Sequence, residues 1–157
     1  MVLFNEMIKP MLAETSEPFD SPEFCFELKI DGTRTIAYID TEKKEVKLLN
    51  RRFKFFQSNY PELRNLWKDI NAKKVVLDGE LTIFKNGKPD FYLLAEREHI
   101  ANQTRIQLLS EINPATYVVF DILHKDGHDL IDKPLIERKK FWKKLLKRVI
   151  EFCFLLM

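Results

Sequence analysis

The distribution of apolar and polar residues predicts several β-strands. Between residues 24 and 30 every second residue is apolar, which places Glu27 and Lys29 together on the opposite face of a strand. Asp31-Gly32 follows as a tight-turn signal, so we predict a hairpin whose return strand covers 34–40. The other predicted strands are 45–49, 74–78, 80–84 and the apolar, buried run 116–123.

All four glycines follow Asp or Asn, in pairs that favour tight turns between strands. One such pair, Asp78-Gly79, predicts a turn that joins 74–78 to 80–84. Helical spacing of apolar residues predicts helices over 60–70, over part of 91–111, and from Pro134 onward. The residues with that spacing in the last helix are Phe141, Trp142, Leu145, Leu146, Val149, Ile150 and Cys153. The prediction is one mixed α+β domain with mostly antiparallel strands and flanking helices.

Composition excludes some classes of function without selecting one. A chain of 157 residues with 45% apolar content is long enough for one core, and its net charge of only +2 does not indicate a nucleic-acid partner. Two cysteines far apart fit a reducing cytoplasm, and no apolar run reaches the roughly 20 residues of a membrane span. The histidines lack ligand spacing and are predicted at the surface (His99, His124 and His128). A basic face of the last helix is predicted to be solvated rather than to contact DNA (Lys139, Lys140, Lys143, Lys144, Lys147 and Arg148).

The stretch FELKIDGTR, residues 26–34, contains a candidate nucleophile. Taken alone it is an ordinary hairpin with a solvated Glu27–Lys29 face. A nucleophilic lysine must first lose its proton, and nearby carboxylates oppose that loss. A bound cation or phosphate chemistry is therefore needed to explain how the lysine becomes reactive.

KIDGTR matches the K-x-D-G-x-R signature of the covalent nucleotidyltransferases, which include ATP-dependent DNA ligases, RNA ligases and capping enzymes. The resemblance implies that Lys29 attacks the α-phosphate of ATP and becomes a lysyl-nucleotide. It also implies that Glu27 reads the adenine, that Asp31 and Gly32 shape the turn, and that Arg34 reaches the ribose and phosphates.

Three later stretches resemble the family in the same order. LLNRRFKFFQSNYPEL implies that Arg51 contacts the nucleotide, VVLDGELTIF that Glu80 lies near the ribose and metal-bound phosphates, and TYVVFDIL that Phe120 stacks on the purine. In isolation, a basic surface turn is the favoured explanation of Arg51, Glu80 can be a hairpin acid that faces water, and Phe120 is equally well explained as a core side chain. A single acid suits Mg²⁺, a hard cation that needs few protein ligands beside phosphates. GKPDFYLLAERE resembles a ligase stretch that ends in a short helix with an arginine, and Arg97 is given no role.

The resemblance is strongest to ATP-dependent DNA ligases of archaea and bacteria, and it implies a ligase-type nucleotidyltransferase (ATP-grasp-like) domain. It further implies ATP and Mg²⁺ as cofactors, nicked double-stranded DNA as partner, a cytoplasmic location, and work in DNA repair, replication and recombination. The E-G-x-x-K and K-x-K motifs and the oligonucleotide-binding domain of the family are missing. We therefore expect residues 1–157 to form an adenylation domain that is incomplete at its carboxyl end.

Several alternatives remain open at this stage. The chain could be a fragment, a truncated gene product, or half of a split enzyme completed by a second polypeptide, and we expect it not to seal a nick alone. An RNA ligase, a capping-type guanylyltransferase and an inactive nucleotide- or nucleic-acid-binding remnant are the competing functions.

Overall fold

A computed structural model describes residues 3–145, and an antiparallel sheet dominates it. The strands, in chain order, are β1 Thr33–Asp40, β2 Glu45–Asn50, β3 Lys74–Lys85, β4 Lys88–Pro89, β5 Ala115–Lys125 and β6 His128–Asp129. The sheet order is β2-β1-β3-β5-β6, with β4 paired to β3, and every one of these pairings is antiparallel. The α-helices are α1 Phe91–Glu98, α2 Gln103–Ile112 and α3 Leu135–Leu145, and 3₁₀ helices cover Leu3–Asn5, Gln57–Asn59 and Pro61–Asp69. The predicted α+β class is confirmed.

The two faces of the sheet bury different sets of residues, as period-two alternation requires. Ala37 and Ile39 of β1 point to the larger cluster, which includes Leu63 of the 3₁₀ helix Pro61–Asp69. The alternate residues Ile36 and Tyr38 belong to a smaller cluster, which is packed against Phe4 and Ile8 of the amino-terminal segment. The larger cluster therefore lies between the sheet and its helices.

Most strands and helices predicted from the pattern are confirmed. Strands occupy the predicted ranges 34–40, 45–49 and 116–123, and the helix predicted from Pro134 is α3. The helix predicted over 60–70 is a 3₁₀ helix over Pro61–Asp69. Its Leu63 is buried, as are Tyr60 and Ile70 at its two ends, whereas Trp67 is half-buried. The predicted helical residues from Leu146 to Cys153 lie outside the described range.

The strand predicted for 24–30 is wrong. Residues 24–31 form no strand, and the side chains of Phe24 and Leu28 are 58% and 54% exposed. The predicted hairpin would fold this segment back onto β1, but β2 and β3 already occupy both edges of β1. Phe24 instead packs edge-on against Phe19, with ring centroids 4.9 Å apart.

The turn predicted at Asp78-Gly79 is also wrong, because β3 runs through it without a break. A Cβ on Gly79 would lie 2.5 Å from the carbonyl oxygen of Val118 and 2.7 Å from the ring of Tyr117. Glycine is therefore required by the close approach of β5, where the β3–β5 register shifts. The pairs Asn86-Gly87 and Asp126-Gly127 do form turns, and all four of their residues have positive φ.

Two basic residues predicted at the surface are buried. His124 is fully buried, its Nδ1 lies 2.7 Å from Asp129 Oδ1, and its Nε2 accepts from the Gly127 amide at 3.2 Å. Lys139 is 1% exposed because it packs inward from α3, whereas Lys140 is exposed as predicted. His99 and His128 are exposed, which confirms those predictions. The side chains of Lys143 and Lys144, and residues Lys147 and Arg148, lie outside what the structure describes.

Candidate active site

Four of the six predicted site residues line one cleft of about 490 Å³: Lys29, Arg34, Arg51 and Glu80. The sheet topology explains their meeting, because β1 begins where its antiparallel neighbour β2 ends, and Arg34 lies directly opposite Glu80 on β3. The other lining residues are Asp31, Gly32, Thr33, Asn50, Arg52, Phe91, Glu98 and His99.

Lys29 approaches the cleft from the irregular segment before β1, and its side chain is exposed. Gly32 brings that segment very close to β3, since a Cβ there would lie 2.2 Å from the Leu81 carbonyl oxygen. The hydroxyl of Thr82 also donates to the Asp31 carbonyl at 2.8 Å. These contacts hold the chain beside β3 two residues after Lys29.

Arg51 lies in a tight turn that follows β2. The side chain of Asn50 accepts hydrogen bonds from the backbone amides of Arg52 at 2.9 Å and Lys54 at 3.1 Å. Phe53 has a φ of 58°, the left-handed conformation that closes such a turn. The side chains of Arg51 and Arg52 are exposed at the rim of the cleft. Guanidinium groups exposed in this way suit phosphate groups, to which each guanidinium can donate two parallel hydrogen bonds.

Glu80 is a half-buried acid of the cleft. Burial raises its pKa to about 7, and the charges of Asp78 and Asp31 add to that effect, while those of Arg34 and Lys29 oppose it. A carboxyl with such a pKa exists in both protonation states near neutral pH. It can therefore exchange a proton or accept a cation there, which is typical of functional carboxyl groups.

Arg34 makes contacts that the sequence did not indicate. Its guanidinium donates two hydrogen bonds to Asp78, at 2.6 and 2.7 Å, and lies 4.3 Å from the centroid of the Phe120 ring. The sequence predicts Asp78 in a turn, but an acid within an apolar strand requires a cationic or donor partner when it is buried. The position of an acid within the apolar stretch 74–84 was therefore the sequence feature that could have predicted this ion pair.

Glu27 and Phe120 are predicted site residues that do not line the cleft. The Glu27 carboxylate accepts a hydrogen bond from the buried ammonium of Lys139, and Phe120 is half-buried under Arg34. Arg34 covers one face of the Phe120 ring, so a purine stacked on that face must displace the guanidinium. The roles of Glu27 and Phe120 toward a nucleotide stay predictions.

Two residues that the sequence left without a role have clear structural partners. Glu98, a cleft residue, accepts a hydrogen bond from the Thr33 hydroxyl and so joins α1 to the start of β1. Arg97 is 2% exposed, pairs with Glu62, and donates to the Asn59 and Asn113 carbonyls at 2.8 and 3.0 Å. Arg97 is therefore part of the scaffold behind the cleft.

Within residues 3–145 no group of three or more His, Cys, Asp or Glu side chains is placed to hold a metal ion. The helices of the same range are also too short or too polar to cross a membrane.

Comparison with known proteins connects this chain to one family. Residues 7–153 match the family model described as "ATP dependent DNA ligase domain". The DNA ligase-like protein LigB of a Bacillus subtilis prophage is 35% identical over 134 residues, which cover 84% of this chain and 45% of that protein. A DNA ligase of Methanococcus aeolicus is 33% identical over 149 residues, covering 88% of this chain and 25% of that protein. The chain thus spans less than half the length of either relative.

Solved structures show the same fold. The ligase domain of Mycobacterium tuberculosis LigD superposes with a TM-score of 0.59 at 28% identity, covering 76% of this chain and 35% of that one. A mycobacterial DNA ligase D complexed with ATP and MES gives the same TM-score at 27% identity. Because the family model covers nearly the whole sequence and the antiparallel sheet matches ligase structures, this chain belongs to the ATP-dependent DNA ligase domain family.

Proposed function

We propose that this chain belongs to the adenylation domain of a DNA ligase, and that its cleft transfers AMP from ATP to Lys29. The observation that carries the proposal is the meeting of Lys29, Arg34, Arg51 and Glu80 in one cleft of a chain from this family. The relatives compared above are named DNA ligases, which favours this reading over an RNA ligase or a capping enzyme.

The chemistry follows from the groups in the cleft. The Lys29 nitrogen forms a bond to the α-phosphorus of ATP, the bond from that phosphorus to the bridging oxygen breaks, and pyrophosphate leaves. Lys29 is exposed and must first release a proton to solvent, because only the unprotonated amine attacks. Arg51 supplies positive charge toward the phosphates, since positioning and charge neutralisation dominate such transfers.

The donor set of the cleft fits both cofactors that the family implies. An ammonium and exposed guanidinium groups suit a triphosphate. Mg²⁺ usually keeps several waters and binds one or two carboxylates beside phosphates, so the half-buried Glu80 suffices as its protein ligand. When bound, Mg²⁺ would neutralise charge on the departing pyrophosphate.

Covalent labelling tests the proposal. The chain is incubated with α-labelled ATP and Mg²⁺, denatured and run on a gel, and the labelled peptide is identified by mass spectrometry. We expect label on Lys29 and none in Lys29→Ala, because this lysine is the only proposed nucleophile. Lys54→Ala is the matched control, since Lys54 is another exposed lysine close to the cleft.

Each alternative function predicts another pattern of label. Retention of label by Lys29→Ala would exclude this lysine as nucleophile. Preference for GTP over ATP would favour a capping-type enzyme, and a folded chain that takes no label from either nucleotide would favour an inactive remnant.

We further propose nicked double-stranded DNA as the partner of the adenylated chain, with exposed arginines at the rim of the cleft contacting phosphates. Nick sealing is measured with the chain alone and with a second polypeptide that carries the remaining ligase motifs. Sealing in either arm supports DNA as the substrate, and transfer of AMP only to nicked RNA would exclude it.

A further inference from the structure

Lys139 of α3 connects the segment that carries Lys29 to the sheet. Its ammonium donates hydrogen bonds to the Glu27 carboxylate and, at 3.2 Å, to the backbone carbonyl of Phe120 on β5. Lys139 is 1% exposed, whereas the Glu27 side chain is 32% exposed. A buried ammonium is stable only when its donors are satisfied, so this arrangement ties Glu27 to one position.

The neighbouring residue fixes the helix from which Lys139 extends. Arg138 donates to both carboxylate oxygens of Asp121, at 2.8 and 2.7 Å, and Asp121 is directly opposite Asp78 in the β3–β5 register. Asp78 in turn holds Arg34. Two carboxylates that face each other across strands are thus each bound by an arginine, and α3 is joined to β5, the strand paired with β3.

We propose that Lys139 is a positioning residue: it anchors Glu27, and with it the chain two residues before Lys29, beside Phe120. Glu27 and Phe120 are the two residues predicted to contact the purine, and Lys139 contacts both. The effect on nucleotide choice depends on the proposed function, whereas the anchoring of the segment depends on the observed contacts alone.

The anchor is tested without nucleotide. A spin label on the exposed Cys25, in a Cys153→Ser background, reports the mobility of the segment two residues from Glu27. Lys139→Met removes the ammonium but keeps an unbranched side chain, and Lys140→Met removes an exposed charge from the same helix as control. We expect a more mobile spectrum for Lys139→Met and an unchanged one for Lys140→Met.

Glu27→Gln removes the charge of the more exposed partner in the same ion pair, so the anchor can still be tested if Lys139→Met fails to fold. We expect it to mobilise the label as well. Spectra of folded Lys139→Met or Glu27→Gln that match the Lys140→Met spectrum would overturn the anchor.

The selectivity for ATP over GTP distinguishes a positioning role of Lys139 from a merely structural role. We expect the ratio of ATP to GTP labelling to fall on the order of fivefold in Lys139→Met, and no further in the double variant with Glu27→Gln, because contacting residues are not additive. A stability loss with an unchanged ratio would overturn the positioning role. If the unaltered chain takes no label, the proposed function fails while the spin-label comparison still decides the anchor.

Discussion

Replacing Glu80 by glutamine should stabilise the folded chain above neutral pH while abolishing lysine labelling. Burial raises the pKa of Glu80 from 4.5 to about 7. Between those values the folded state binds more protons than the unfolded state, so the free energy of unfolding falls as the pH rises. Above about pH 7 the folded state carries the full cost of a half-buried carboxylate. Glutamine has no such charge.

The magnitude follows from the difference between the two pKa values. A difference of about 2.5 corresponds to roughly 3–4 kcal/mol, at ~1.4 kcal/mol for each pKa unit. Water reaches a half-buried group and screens it, which reduces the expected gain to about 1–2 kcal/mol. At about pH 4 both states hold a neutral carboxyl group, so the variant and the unaltered chain should be nearly equal in stability.

Urea unfolding, followed by tryptophan fluorescence from about pH 4 to pH 8, measures this difference. Glu45→Gln is the matched control, since Glu45 is an exposed glutamate of β2 in the same sheet. A Glu80→Gln stability difference that does not change with pH, or a loss of stability at pH 8, would refute the reasoning. Stabilisation combined with loss of labelling would show a carboxylate retained for activity at a cost in stability.

Two further substitutions test the scaffold behind the cleft. Arg97→Met should lower the free energy of unfolding by about 3–5 kcal/mol, because it leaves the Glu62 carboxylate without its buried partner. The control Arg105→Met removes an exposed ion pair and should cost less than about 1 kcal/mol. Equal losses in the two variants, measured by urea unfolding, would contradict the assignment of Arg97 to the scaffold. Gly79→Ala should cost about 2–3 kcal/mol because its Cβ meets backbone of β5, and thermal unfolding with a loss below about 1 kcal/mol would contradict that close approach.

Much of the fold could be predicted because it depends on interactions between near neighbours in the chain. The apolar segments 34–40 and 45–49 were predicted as strands and form β1 and β2, and Pro134 marked the start of α3. Asn86-Gly87 and Asp126-Gly127 form turns because these residue types tolerate positive φ. The order of motifs along the chain also indicated that Lys29, Arg34, Arg51 and Glu80 belong together, and one cleft contains all four.

Tertiary structure decided what depends on residues distant in sequence. The alternating segment before Asp31 is no strand, because β2 and β3 already occupy both edges of β1. Gly79 lies within a strand rather than in a turn, because β5 passes too close for a side chain. Lys139 looked like one lysine of a solvated basic helix, yet it is buried against Glu27. Period and turn chemistry are local properties of a sequence, whereas burial and ion pairing depend on which strands and helices meet, and no local pattern encodes that meeting.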